Sequence, residues 1–254
     1  MLFDIRGRRR HVVRVVYAIL ALLMGASLFL VVGPFSLGSL VGGGTTSPSK
    51  VLDEQAERIE RKLLQDPNDE ALLLSLTRTR IAAGNSLTEV NPETGTPLFT
   101  AEGLQELNLA VEAWAAYLKQ AKEPKPAAAL LVSSAYFSLA ESSGSFEEAL
   151  ANIKKAAATQ RIAAEAQPSI NSLTTLAIYE YYSGNFAAGD KATKEAEAKA
   201  SKSEAKEVGK QMAAYRARGK QFEKQKQEIA KQEGAQRKEA LENPLGGLSG
   251  SPGE

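Results

Sequence analysis

The chain contains no cysteine and only one histidine and one tryptophan in 254 residues. Without cysteine there is no disulfide, no thiolate metal site and no cysteine nucleophile. The redox compartment stays open, because a cysteine-free chain folds equally well in oxidising or reducing surroundings. The one histidine, His11, lies in an arginine-rich N-terminal arm. A Ser-His-Asp arrangement would have to use it, far from the body of the chain. His11 reads instead as one more polar residue of the arm. A phosphate-binding loop is also lacking: Gly42-Gly43-Gly44 runs into TTSPS, with no lysine. Adjacent carboxylates such as Glu147-Glu148 fall at a helix start, where acids suit the helix dipole. No catalytic residue, cofactor-binding residue, cofactor or metal ligand is expected, and the chain reads as a non-enzyme. Asn85-Ser86-Leu87, Asn91-Pro92-Glu93 and Asn171-Ser172-Leu173 all fail as glycosylation sequons. Runs of alternating β-branched residues are lacking too, so strands are not expected.

One long apolar run is present. Arg6, Arg8, Arg9, Arg10 and Arg14 precede VVYAILALLMGASLFLVV, residues 15–32, which carries no charge. As a helix this run and its flanks would span about 27–32 Å, close to a bilayer's hydrocarbon core. Residues 15–33 therefore read as a transmembrane helix and 1–14 as a basic cytoplasmic arm. No Lys or Arg follows until Lys50, so the charge bias keeps the N-terminus in the cytoplasm. The expected location is the cell membrane, single-pass, with the C-terminal domain extracytoplasmic. The run exceeds a usual signal-peptide core, and Val41-Gly42-Gly43 is a poor cleavage site, which favours an anchor over a cleaved signal. With no cysteine after the run, lipoprotein-type acylation is excluded.

Residues 34–50, rich in Gly, Ser and Thr, read as a flexible linker. From 51 to 200 the composition turns to Ala, Leu, Glu and Lys, all good helix formers. Three sites there share a pattern of helix, glycine, small polar residue and new helix. They are Ile81-Ala82-Ala83-Gly84-Asn85, Ser142-Ser143-Gly144-Ser145-Phe146 and Tyr182-Ser183-Gly184-Asn185-Phe186. A glycine there can take the left-handed conformation that ends a helix. Pro67, Pro124, Pro126 and Pro168 mark the opposite joints.

These marks resemble the tetratricopeptide repeat, a helix-turn-helix unit of about 34 residues. DPNDEALLLSLTRTRIAAGN matches the first half of a unit, with Leu73 and Leu76 at apolar positions. SGSFEEALANIKKA matches a second half through Phe146, Ala149, Ile153 and Ala156. SGNFAAGDKATKEA matches again through Phe186, with Gly189 where alanine is usual. The glycines are 60 and then 40 residues apart, and the first gap holds an insertion, Ser86–Ala101. The resemblance covers 51–200 and implies an all-α fold: a TPR-like helical-hairpin solenoid. In such a stack the first helices line a concave groove. By register, Leu74, Arg78, Ser134, Ser138, Asn171, Thr174, Ile178 and Tyr181 face it. That mixture suits an extended or helical protein or peptide partner. The lysine and asparagine clamp that some members use for carboxylates is missing. Trp114, with Val111 and Leu118, reads as helix packing.

Residues 201–242 read as one long charged helix and 243–254 as a disordered tail. Val208, Tyr215, Phe222 and Ile229 recur every seven residues. They would serve either a capping helix over the last hairpin or self-association through 208–229, and weak alternate positions such as Gly219 and Lys226 favour capping. Seven acidic residues interleave with the basic ones there, which points to i,i+4 pairing and away from nucleic acid. The layout is similar to bacterial envelope TPR proteins that accompany the Sec translocon. It implies a membrane-anchored extracytoplasmic scaffold, in protein export or envelope assembly. A non-catalytic chaperone or foldase subunit, and a structural oligomer built on the last helix, are the competing readings.

Overall fold

The structure is a computed structural model that describes residues 48–90, 92 and 97–242. The arm (1–14), the anchor (15–33), most of the linker (34–50) and the tail (243–254) lie outside the described residues. Among the described residues, no helix is long and apolar enough to cross a membrane.

Eight helices make up most of the described residues: α1 Pro48–Leu63, α2 Glu70–Ser86, α3 Ala101–Gln120, α4 Pro126–Glu141, α5 Phe146–Ala166, α6 Ile170–Tyr182, α7 Phe186–Lys199 and α8 Lys202–Glu242. Helix α1 begins at Pro48, so the last three residues assigned to the linker are helical. Two strands, β1 Thr88–Val90 and β2 Pro97–Phe99, pair antiparallel with Glu89 opposite Leu98. They correct the expectation of no strands. The insertion holds a hairpin too short for an alternating pattern to be read, and Phe99 ties it to the main core.

Helix starts follow the local chemistry. Asp69, Thr100, Ser145 and Asn185 each accept a hydrogen bond from a backbone N–H three residues on. Ser169 and Ser172 form a reciprocal capping box at α6. Pro126 occupies the first turn of α4, where its missing N–H costs nothing.

The glycine joints differ from the expectation. Gly184 alone of the three is left-handed, at φ 86°. Its N–H donates to Tyr181 O and the Asn185 N–H donates to Glu180 O, which closes α6 in a Schellman motif. Gly84 lies inside α2. A Cβ there would stand 2.9 Å from Gly103 O, and one on Gly103 would stand 2.6 Å from Leu87 O. Both glycines let α2 and α3 approach closely rather than end a helix. Gly189, the departure from the repeat pattern, has a similar cause. A Cβ there would meet the Tyr181 ring at 2.4 Å.

Helices α2 and α3, α4 and α5, and α6 and α7 form three closely packed pairs, with α1 laid on α2. Trp114, Tyr117, Val132, Tyr136 and Tyr179 belong to the larger apolar core, and Leu176, Tyr181, Ala192 and Met212 to a second. Trp114 stacks on Tyr117 at 5.0 Å and packs near buried Val111, whereas Leu118 is turned outward. Helix α8 packs on α6 and α7. Val208 and Tyr215 rest on the second core, and Phe222 stacks on Phe146 at 4.4 Å and meets the Tyr182 ring edge-on. Three heptad residues are thus spent within the chain. The Ile229 side chain lies outside those described. Among the described ion pairs, α8 holds one internal pair, Lys226 with Glu223 at i,i+3, rather than an i,i+4 series.

Candidate binding groove

The first helices of the three pairs lie side by side. Helix α2 contacts α4. Helix α4 meets α6 through Phe137, whose ring lies 5.0 Å from that of Tyr179 and 6.5 Å from that of Tyr182. The Ser134 hydroxyl donates to Leu130 O at 3.3 Å, back onto its own helix. Burial raises the Tyr179 pKa, with the nearby Glu141 charge adding to it and the Ser134 and Ser133 hydroxyls opposing it. Burial likewise raises the Glu141 pKa.

Seven of the eight residues expected to face a groove are exposed or half-buried. Arg78, Ser134 and Asn171 are exposed, and Leu74, Ser138, Thr174 and Ile178 are half-buried. They recur at i, i+3 and i+4 on α2, α4 and α6, so each helix turns one stripe outward. The Thr174 hydroxyl donates to Ile170 O at 2.9 Å, back onto its own helix. Tyr181 is corrected: it is 1% exposed and packs inside the second core. Its hydroxyl donates to Asp190 Oδ1 at 3.0 Å and lies 2.9 Å from Thr193 Oγ1. Tyr182, one residue on, is the half-buried tyrosine on this side. A one-residue step turns a helical side chain by about 100°, more than a register from distant glycines resolves.

Sequence reasoning missed Leu130, which is 40% exposed, and half-buried Phe137. Their signal was present: Leu130, Ser134, Phe137 and Ser138 follow helical spacing. The stripe therefore carries aliphatic and aromatic carbon between hydroxyls.

Polar keys hold the helices that present it. Arg80 donates to both Glu106 carboxylate oxygens, at 3.0 and 2.8 Å, and to Glu60 at 2.7 Å. It thereby ties α1, α2 and α3 together. Gln160 on α5 accepts from the Ser133 hydroxyl of α4 at 2.7 Å and donates to Ser172 O of α6 at 3.0 Å. Arg161 pairs with buried Glu180 between α5 and α6. Arg216 of α8 donates twice to Asp190, at 2.8 and 3.1 Å. Hydrogen bonds of this kind are directional, so they fix the register between helices. Among the described residues no cluster of His, Cys, Asp and Glu is arranged to hold a metal. No family model matches this chain, and no curated protein or solved structure matches it either.

Proposed function

We propose that the chain is a membrane-anchored scaffold whose TPR-like helical-hairpin stack holds an extended or helical polypeptide against α2, α4 and α6. The observation that carries the reading is the set of incompletely buried apolar residues on α2, α4 and α6, half-buried Leu74, Phe137, Ile178 and Tyr182 with exposed Leu130, among Arg78, Ser134 and Ser138. Apolar side chains left half-covered on three adjacent helices suit a partner that buries them, while hydroxyls and a guanidinium suit its backbone and acidic groups. The uncharged run 15–32 behind five arginines supports the anchor and the outward-facing body. Service beside the export machinery rests on layout alone.

Photo-crosslinking in native membranes tests the reading, with reactive residues at Arg78, Ser138 and Thr174 and mass spectrometry of the adducts. Crosslinks from all three positions to translocon subunits or to unfolded exported chains support it. Crosslinks only to cytoplasmic proteins overturn the topology. Crosslinks only between copies of the chain replace the scaffold with a structural oligomer.

A further inference from the structure

Helices α1 and α2 enclose a depression of about 510 Å³. Ile59 and Leu72 are its apolar residues, and Arg58, Arg61 and Lys62 line it with three positive charges. No carboxylate lines it. Of the four acids of α1, Glu60 is bonded to Arg80 and Asp53 lies 3.9 Å from the same guanidinium, Glu54 is exposed, and Glu57 reaches Arg61 at 3.6 Å with both side chains more than 60% exposed, a pairing that solvent weakens. Beside the cations, in the α1–α2 turn, Leu64 is 83% exposed, the most exposed large apolar side chain described.

We propose that this depression seats the helical body on an anionic membrane surface, with lipid phosphates on Arg58, Arg61 and Lys62 and Leu64 reaching the headgroup layer. Cations flanking an exposed leucine are the chemistry of interfacial binding. Chain length brings the surface within reach. Residues 33–47 are the only sequence between the apolar run and Pro48, and fifteen residues extend to about 50 Å at most. Lys62 lies about 21 Å along α1 from Pro48. The proximity rests on the anchor reading; the charge pattern does not. Each cation near an anionic surface contributes roughly fivefold to partitioning. Docking by α1 would hold the stripe of α2, α4 and α6 at a fixed height above the bilayer.

The absence of cysteine allows a clean test. The full chain carries one cysteine, Gln65→Cys or, as a remote control, Ser201→Cys, labelled with an environment-sensitive fluorophore. It is reconstituted into phosphatidylcholine nanodiscs with or without phosphatidylglycerol. The label at 65 is expected to shift to the blue and resist an aqueous quencher only in the anionic discs. High salt and the exposed-residue variant R58Q/R61Q/K62Q should each reverse this, the variant lowering partitioning at least about tenfold, while the label at 201 stays unchanged. Equal emission in both discs, or a shift that survives the triple substitution, overturns the proposal. A shift produced by an acidic peptide such as poly-glutamate but not by anionic lipid overturns it in favour of a peptide partner. A chain that fails to enter discs refutes the anchor by itself. The same label read with added anionic vesicles then still decides the docking.

Discussion

Two glycines on α8 should answer the same substitution with opposite signs. On an open helix, Gly→Ala stabilises by about 1 kcal/mol, because alanine orders at lower entropic cost. At Gly209 the nearest obstacle to a new Cβ is Glu197 Oε1 at 2.5 Å, with the next atom at 3.6 Å. That carboxylate ends a flexible side chain and can swing aside, so most of the gain survives. At Gly219 the Cβ would stand 2.5 Å from Tyr181 O and 2.8 Å from Tyr181 C. A peptide group in α6 cannot swing. Helix α8 must lift by several tenths of an ångström, and Phe222, one turn further on, lifts off Phe146 and Tyr182 with it. Overpacking of this kind costs roughly 1–3 kcal/mol, enough to cancel and exceed the propensity gain. Urea titration by circular dichroism, with amide exchange of 181–223, separates the cases. Gly209→Ala should raise the midpoint. Gly219→Ala should lower it and speed exchange in α8 and the end of α6. A Gly219→Ala variant as stable as Gly209→Ala would refute the close seating of α8 on α6.

Replacing Arg80 by Met leaves Glu106, whose side chain is 12% exposed, without its cation; thermal melts should show a loss of about 3–5 kcal/mol. Tyr181→Phe removes a buried hydroxyl from Asp190 and Thr193 and should cost about 1–2 kcal/mol by denaturant titration, while crosslinking at Ser138 stays as in the parent. A changed crosslinking pattern would put Tyr181 back among the partner contacts. The Arg216 hydrogen bonds hold the Asp190 pKa below the usual carboxylate range, against a smaller opposing effect of burial. A carboxylate with a lowered folded pKa stabilises the fold above its unfolded pKa and loses that contribution as pH falls through the folded value. The stability difference between the parent and Asp190→Asn should therefore be full near pH 6 and vanish below the depressed pKa. Solvent screening at this half-exposed pair keeps it small, and a difference that persists at pH 2 would mean Asp190 acts by packing instead.

What could be read from the sequence is what local chemistry dictates. The caps at Asp69, Ser145, Ser169 and Asn185, Pro126 at a first turn, and the end of α5 at Ala166 all follow from residues within one or two turns. The helical class followed from composition, and the seven-residue recurrence of Val208, Tyr215 and Phe222 marked the face that α8 buries. Failures arose where a distant neighbour decides. Gly84 looks like Gly184 in its immediate sequence, yet its surroundings include Gly103 and Leu107 from α3, which only the packed fold supplies. Tyr181 and Tyr182 are equivalent to a repeat pattern, but Asp190 and Thr193 draw the first inward and Phe137 and Phe222 meet the second.

The same two tyrosines connect stability to the proposed function. Tyr181 touches Gly189 with its ring and Gly219 with its peptide, so α7 and α8 both close on it. Tyr182 follows on the other side of α6, against Phe137 of α4 and Phe222 of α8. A shift of α8 therefore reaches the stripe of α4 and α6 through one aromatic contact. The long helix, which the heptad spacing also suited to joining two chains, instead spends Val208, Tyr215 and Phe222 inside one. A helix that sets the position of Tyr182 would couple α8 to the face on which the proposed binding rests. Phe222→Ala should accordingly loosen Tyr182 and weaken crosslinking at Thr174, one helical stripe away, more than at Arg78 on α2. Equal loss at both positions would show general unfolding rather than this coupling.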